Sequence, residues 1–274
     1  MISRILSTSG IEFRIALRNR WVAIAIVLMV VFALVLAAAG AAPTGDIGAD
    51  RLSVTVASLT SLAVYLVPLL ALLMSFDAIA GEVERGTLPL LLTYPVSRAE
   101  ILAGKLIAQV TILAIAVTVG YGAAAGMTLW LDPGSYSGLP ALWRLIWSSV
   151  LLGAAFLGLG FVLSSLAGRP SGAAGMAIGL WLALVVLYDL ALLAMIVADG
   201  GGALTTQVLP VALVVNPADA FRLFNLSASE ATAAAAGIGG AANSIPLWQS
   251  TLSLGLWPLI AFVLAILAFR RVTP

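Results

Sequence analysis

Few side chains in this sequence can do chemistry. Neither histidine nor cysteine occurs among its 274 residues. That removes imidazole bases, the Ser-His-Asp triad, thiol catalysis, disulfides and the commonest metal ligands. The methionines, at positions 1, 29, 74, 127, 176 and 195, are scattered and do not assemble a soft copper site. Carboxylates, lysine, tyrosine and hydroxyls remain. One acid, Asp189, stands deep in an apolar run beside Tyr188. At that depth a carboxylate serves either a substrate or gating role or a hydrogen bond to a neighbouring helix. Intramembrane proteolysis by aspartates would need a second one in a facing run, and only Asp189 qualifies. Gly104-Lys105 lacks the GxxxxGK[ST] frame of a phosphate-binding loop. No polar stretch is long enough for a nucleotide-binding domain. The chain is therefore expected to be non-catalytic, without a metal or cofactor of its own, and any ATP and Mg would be bound and hydrolysed by another subunit.

The other concentration of chemistry is the stretch 77–105, DAIAGEVERGTLPLLLTYPVSRAEILAGK. It holds seven of the 25 charged residues: Asp77, Glu82, Glu84, Arg85, Arg98, Glu100 and Lys105. Ser97-Arg98-Ala99-Glu100 has the S-x-x-E spacing of a capping box and should start a helix. Gly86 breaks the chain after the acidic pair, and residues 87–93 form a short apolar piece ended by Tyr94-Pro95. An apolar plug with a charged collar suits a groove on a cytosolic partner, the plug supplying buried contact and the charges setting register. The alternative is a solvated loop lying on the membrane.

The elements that must carry these residues are membrane helices. The chain is 62% hydrophobic and only 9% charged, where soluble domains run at about 25% charged; its mean hydropathy is +1.14. Spans are readable at about 21–42, 52–76, 101–131, 140–167, 172–198 and 245–269, each exceeding the roughly 20 residues that cross a bilayer. The first is read as an uncleaved span, because its apolar run of about 22 residues exceeds a signal peptide's. With the N-terminus in the cytoplasm, the inner side carries Arg4, Arg14, Arg18, Arg20, Arg85, Arg98, Lys105, Arg169, Arg270 and Arg271, against Arg51, Arg144 and Arg222 outside. That bias sets both termini in the cytoplasm. Trp130, Trp143, Trp147 and Trp248 fall near the outer interface and Trp21 near the inner one, as an aromatic belt requires.

The fold class is thus an all-α integral membrane protein forming one domain over 1–274. Residues 1–20 read as an interfacial helix, with Ile2, Ile5, Leu6, Phe13 and Leu17 opposite Arg4, Arg14 and Arg18, while Ile11 and Ile15 interrupt the pattern. Residues 77–100 form the cytoplasmic loop. Residues 199–244 form an outer segment whose apolar pieces are too short to span and so read as re-entrant or interfacial. Asn216-Pro217 marks a turn there, with Asp219 placed to cap a short helix. Gly122/Gly126, Gly175/Gly179 and Gly158/Gly160 are expected to let helices pack closely within the chain. Pro68 and Pro258 should kink the second and sixth spans.

Glu82, Glu84, Gly86, Thr87, Leu88, Leu91, Leu92, Pro95, Ser97, Arg98, Ile101, Gly104 and Lys105 match the pattern E-x-E-x-G-T-L-x-x-L-L-x-x-P-x-S-R-x-x-[IL]-x-x-G-K. This resembles the first cytoplasmic loop of ABC-2 type permeases, the six-span subunits of ABC exporters, and the likeness extends over essentially the whole chain. The resemblance implies an N-terminal elbow helix, re-entrant elements before the last span, a second copy of the chain, and a cytoplasmic ATPase dimer. It also implies that Asp77, Glu82, Glu84, Arg85, Gly86, Thr87, Leu88, Leu91, Leu92 and Arg98 couple to that ATPase. The blocks FDAIAGE, LLTYP and NPADAFRLFNL resemble more narrowly the branch of the family that serves maturation of nitrous oxide reductase. That likeness implies a periplasmic β-helix partner contacted through Asn216, Pro217, Asp219, Phe221 and Arg222, a copper-chaperone lipoprotein, and a part in copper–sulfide cluster assembly. Rival readings are an ABC-2 exporter of a drug, lipid or ion, and an ion-coupled secondary transporter. The latter usually shows inverted repeats and several intramembrane charges, and no convincing repeat is found here.

Overall fold

Every element among the described residues is helical, as backbone groups in a bilayer require. The computed structural model describes residues 2–17, 20–39, 50–93, 96–200, 202–226 and 246–273, with side chains from Ile5 to Ile15, at Ala23, Ile24 and from Ile26 onward within those stretches. The helices are α1 (Ile2–Leu17), α2 (Arg20–Ala39), α3 (Arg51–Ser75), α4 (Ala80–Glu84), α5 (Leu88–Thr93), α6 (Arg98–Leu131), α7 (Leu139–Ala167), α8 (Pro170–Trp181), α9 (Tyr188–Asp199), α10 (Leu209–Val215), α11 (Pro217–Leu226) and α12 (Leu247–Arg270). A π-helical turn, Leu182–Leu187, joins α8 to α9 in one rod, and a second, Leu204–Val208, leads into α10. Five rods among the described residues are long and apolar enough to cross a membrane: Arg51–Glu84, Arg98–Leu131, Tyr136–Ala167, Pro170–Asp199 and Leu247–Arg270. Helix α2 covers most of the first expected span; that span's last residues, like Tyr94-Pro95 and most of the outer segment after Leu226, lie outside the described residues.

Local chemistry sets the helix ends. Ser97 Oγ accepts from Glu100 N at 3.2 Å while Glu100 Oε2 accepts from Ser97 N at 2.8 Å, so the capping box forms as its spacing predicts. Helix α6 stops at Asp132, whose carboxylate accepts from Ser135 Oγ (2.6 Å) and Gly134 N (3.3 Å). Those bonds hold its carboxyl below the usual carboxylate range.

Helix α7 is the hub. A Cβ at Gly153 would meet Leu113 Cδ2 of α6 at 1.9 Å, one at Gly158 would meet Ala261 Cβ of α12 at 2.8 Å, and one at Gly160 would meet Ser75 Oγ of α3 at 1.8 Å. Three neighbours thus approach α7 at hydrogen-only positions, where dispersion contacts hold apolar helices together. Gly122, Gly126, Gly175 and Gly179 differ from expectation, with nothing among the described residues within 4 Å of a Cβ. The reason on α6 is its larger side chains. Tyr121, Ala124, Ala125 and Thr128 occupy the buried face and turn Gly122 and Gly126 outward.

Two apolar cores result. The larger includes Leu59, Val67, Tyr121, Phe156 and Phe221. The smaller, under α4 and α5, is built from Ile79, Leu88, Leu102, Phe161, Ala265 and Phe269. The α8–α9 rod is peripheral, with 6% of its apolar window buried against 67% for the Arg51–Glu84 rod. Trp130, Trp143 and Trp248 are exposed, as a belt needs, whereas Trp147 packs edge-on against Phe224 at 5.1 Å. On α1, Ser9 is buried, Ile5, Thr8, Glu12 and Phe13 are half-buried, and Leu6, Ile11 and Ile15 are exposed.

Gly158→Ala should destabilise the chain by about 1–3 kcal/mol through overpacking. Gly179→Ala should be neutral or gain up to about 1 kcal/mol from helix propensity. Thermal unfolding of the detergent-solubilised chain checks the contrast.

Candidate functional site

Below α3 the chain turns onto α7. Ile79 N and Ala80 N both donate to Ser164 Oγ, at 2.9 and 3.0 Å, which satisfies two backbone donors at the start of α4. Asp77 and Arg85 pair at 3.5 Å on the surface, and Gly81 leaves them room, since a Cβ there would fall 2.0 Å from Asp77 Oδ1. Gly86 has φ +65°, a left-handed conformation that favours glycine. It reverses the chain so that Thr87 N donates to Glu82 O at 2.9 Å. Leu88 then drops into the smaller core, fully buried, while Leu90 stands 65% exposed. Leu91 and Leu92 are half-buried, and Glu84, Arg85, Gly86, Pro89 and Thr93 are exposed. The 87–93 piece is thus a knob, pinned by Leu88 and led by Leu90.

Two charges expected in the collar lie elsewhere. Glu82 is buried, and its Oε1 accepts from Lys105 Nζ of α6 at 2.6 Å; the same ammonium reaches Glu12 Oε1 of α1 at 2.7 Å. A lysine inside a bundle needs anionic partners, and the acids of two other helices supply them. Gly104, one residue before, lets α1 lie on α6, since a Cβ would meet Thr8 Cβ at 2.7 Å. Arg98 also turns inward. Its Nη1 donates to Phe269 O and Val272 O, at 2.5 and 2.8 Å, and its guanidinium lies 5.2 Å from the centre of the Phe269 ring. It therefore caps the end of α12, where carbonyls lack helical partners and the dipole favours a cation.

A second polar cluster lies toward the other end of the bundle. Asn216 Nδ2 donates to Leu184 O in the π-turn (2.7 Å), and Asn216 Oδ1 accepts from Ala218 N (2.9 Å). Asn216, not Asp219, therefore caps α11. Trp257 Nε1 of α12 donates to Val215 O at 2.8 Å, and Tyr188 OH to Ala212 O at 2.8 Å. Arg222 grips Asp189 with both terminal nitrogens (3.1 and 2.7 Å) and reaches Asp219 Oδ1 at 3.3 Å. Asn225 Nδ2 donates to Ser148 Oγ of α7 at 2.9 Å. The expected partner-facing residues Asn216, Pro217, Asp219 and Phe221 are buried, and Arg222 is paired inside rather than free in an outer loop. The reason is that α11 inserts among α3, α7 and α12 and needs these polar groups to satisfy its own backbone and charge.

Sequence reasoning flagged Glu82, Lys105, Asp189 and Arg222 singly and missed their pairing. For Asp189 the signal was a lone acid in an apolar run, which obliges a partner without naming it, whereas Glu82 and Lys105 stood in one charged stretch and Arg222 in the outer segment. Lys105→Met should cost about 3–5 kcal/mol, because the buried Glu82 and the half-buried Glu12 lose their cation. Adding Glu82→Gln should recover part of that loss, read as a positive coupling in a double-mutant cycle of thermal unfolding.

Residues 6–273 match the family model described as ABC-2 family transporter protein. The chain is 46% identical over 264 residues to the "Probable ABC transporter permease protein NosY" of Pseudomonas aeruginosa, covering 95% of both chains. It is 42% identical over 264 residues to the protein of the same name from Stutzerimonas stutzeri, again covering 95% of each. With a matching loop, a helical membrane bundle and whole-length similarity to two permeases, the chain belongs to the ABC-2 family of transporter permeases.

Proposed function

We propose that this chain is the membrane subunit through which a separate ATPase dimer drives assembly of the copper–sulfide cluster of nitrous oxide reductase. The observation that carries this reading is the 46% and 42% identity, over 95% of each chain, to two permeases named NosY. The partners are a NosF-like ATPase in the cytoplasm, a NosD-like β-helix protein and a NosL-like copper-chaperone lipoprotein in the periplasm, and a second copy of the permease. The membrane is the bacterial inner membrane, with both termini cytoplasmic.

The geometry supports a coupling route. Leu90, Glu84 and Arg85 stand exposed on a short platform that is fixed at its base to α7 through Ser164, to α6 and α1 through Lys105, and to the smaller core through Leu88. Closure of the ATPases against Leu90 would move this platform as a unit and re-tilt α3 and α6. Helices α10 and α11 make a re-entrant hairpin, entering along α12 as far as Trp257 and returning beside Ser148 of α7. The open side of α8–α9, where no described residue comes within 4 Å of a Cβ at Gly175 or Gly179, suits the second copy. The cargo is a sulfur species, or motion alone, rather than tightly held copper, because the chain has neither histidine nor cysteine. Micromolar or tighter copper binding by the purified chain would contradict that.

A second reading, export of an apolar substrate, is favoured by a groove of about 500 Å³ between α10 and α12, lined by Val211, Leu252, Trp257 and Ile260. One experiment separates the two. Leu90→Glu should abolish ATPase stimulation and co-purification while the chain still inserts and folds, and nitrous oxide reductase from the same cells should lack cluster sulfide. A complete reductase alongside lost coupling would favour the export reading. Intact coupling would remove Leu90 from the ATPase contact.

A further inference from the structure

The Asp189–Arg222–Asp219 cluster has more negative than positive charge and one unsatisfied atom. Arg222 is shared between both aspartates. Asp219 is 2% exposed, and its Oδ2 is buried without a hydrogen-bond donor. Among the described residues, the groups that face the cluster do not repair this. Tyr188 on α9 commits its hydroxyl to Ala212 O. Tyr65 on α3 faces Arg222, and its backbone carbonyl accepts from Trp181 Nε1 at 2.9 Å. Arg144 on α7 lies against Asn225 O, at the far end of α11. Helix α10 has no charged residue, and α12 has only Arg270, at its opposite end. With both acids ionised, the cluster keeps a net charge of minus one beside an orphaned carboxylate oxygen, an arrangement that a low-dielectric interior disfavours strongly.

One added hydron corrects both defects. Carried by Asp219, it brings the cluster to zero charge and turns the orphan acid into a donor, with the Asp189 carboxylate held on the same guanidinium. Two carboxylates so close share a proton more readily than they ionise together. We propose that Asp189, Asp219 and Arg222 form a one-proton site that is occupied at neutral pH and holds the α10–α11 hairpin against α9. The sign follows from linkage. The docked hairpin binds the proton more tightly than an undocked one, so docking is strongest at low pH and weakens as pH rises through the docked site's pKa. The site is independent of which cargo the transporter serves, and its test needs no transport.

The test is infrared spectroscopy of the full-length chain in lipid nanodiscs at neutral pH, in H₂O and D₂O. The expected result is a carboxylic-acid carbonyl band that shifts in D₂O and fades on raising the pH. It should be absent from Asp219→Asn and also from Asp189→Asn, because removing either acid leaves a neutral pair with Arg222. It should persist in Asp77→Asn. A band that survives both aspartate substitutions, or is lost in Glu82→Gln instead, places the proton elsewhere and overturns the proposal. So does a spectrum of ionised carboxylates alone at neutral pH, including one that responds to added sodium or potassium, which would show a monovalent cation in the proton's place. Because the two aspartates lie on different helices, and the wild-type band is read without substitution, misfolding of one variant leaves the test decisive.

Discussion

A buried ammonium cannot stand alone in a membrane bundle, and Lys105 is the point around which one half of this permease is arranged. Its Nζ lies 2.6 Å from Glu82 and 2.7 Å from Glu12, so a single cation fastens the loop helix α4 and the N-terminal helix α1 to the long helix α6. Each of those helices is held elsewhere by weaker means: α4 by the Ser164 hydroxyl, α1 by the close approach of Thr8 to Gly104, and α6 by its capping box. Moving the platform without moving α1 and α6 would separate charges in a poorly solvated interior, which is far costlier than sliding apolar surfaces past one another. This is the physical basis for treating the platform as a lever rather than a flexible loop.

The opposite half solves the same problem differently. Helix α11 brings Asp219, Arg222 and Asn225 into the bundle, and each finds partners on a different helix or along its own chain. The π-turn at Leu182–Leu187 contributes by presenting Leu184 O to Asn216; wide turns of this kind often occur at functional positions in helices. The polar block that resembled a docking motif therefore acts inside the fold, clamping a hairpin to the peripheral α8–α9 rod.

Much of the fold was legible in the sequence because bilayer constraints are severe. Apolar length marked the long helices to within a few residues, and Ser97–Glu100 marked the start of α6. The glycines were only half legible. Glycine spacing says that close approach is possible, but neighbouring bulky residues decide which face meets a helix. Gly153, Gly158 and Gly160 are filled from outside whereas Gly122 and Gly126 look outward. The ion pairs were not legible, since Lys105 and Glu12 are 93 residues apart and Arg222 and Asp189 are 33 apart. No local pattern carries such distances; only the need for a partner was visible.

Coupling through the platform requires Leu90 to be the point of ATPase contact. The chain has no cysteine, so Leu90→Cys places one thiol on the platform without further substitution. Oxidative crosslinking to a cysteine scan of the ATPase surface, in membranes holding the assembled transporter, should give a crosslink at this position that changes between nucleotide-free and ATP-bound states. Absence of any crosslink from Leu90→Cys, with efficient crosslinks from the exposed α1 position Ile11→Cys in the same membranes, would contradict it.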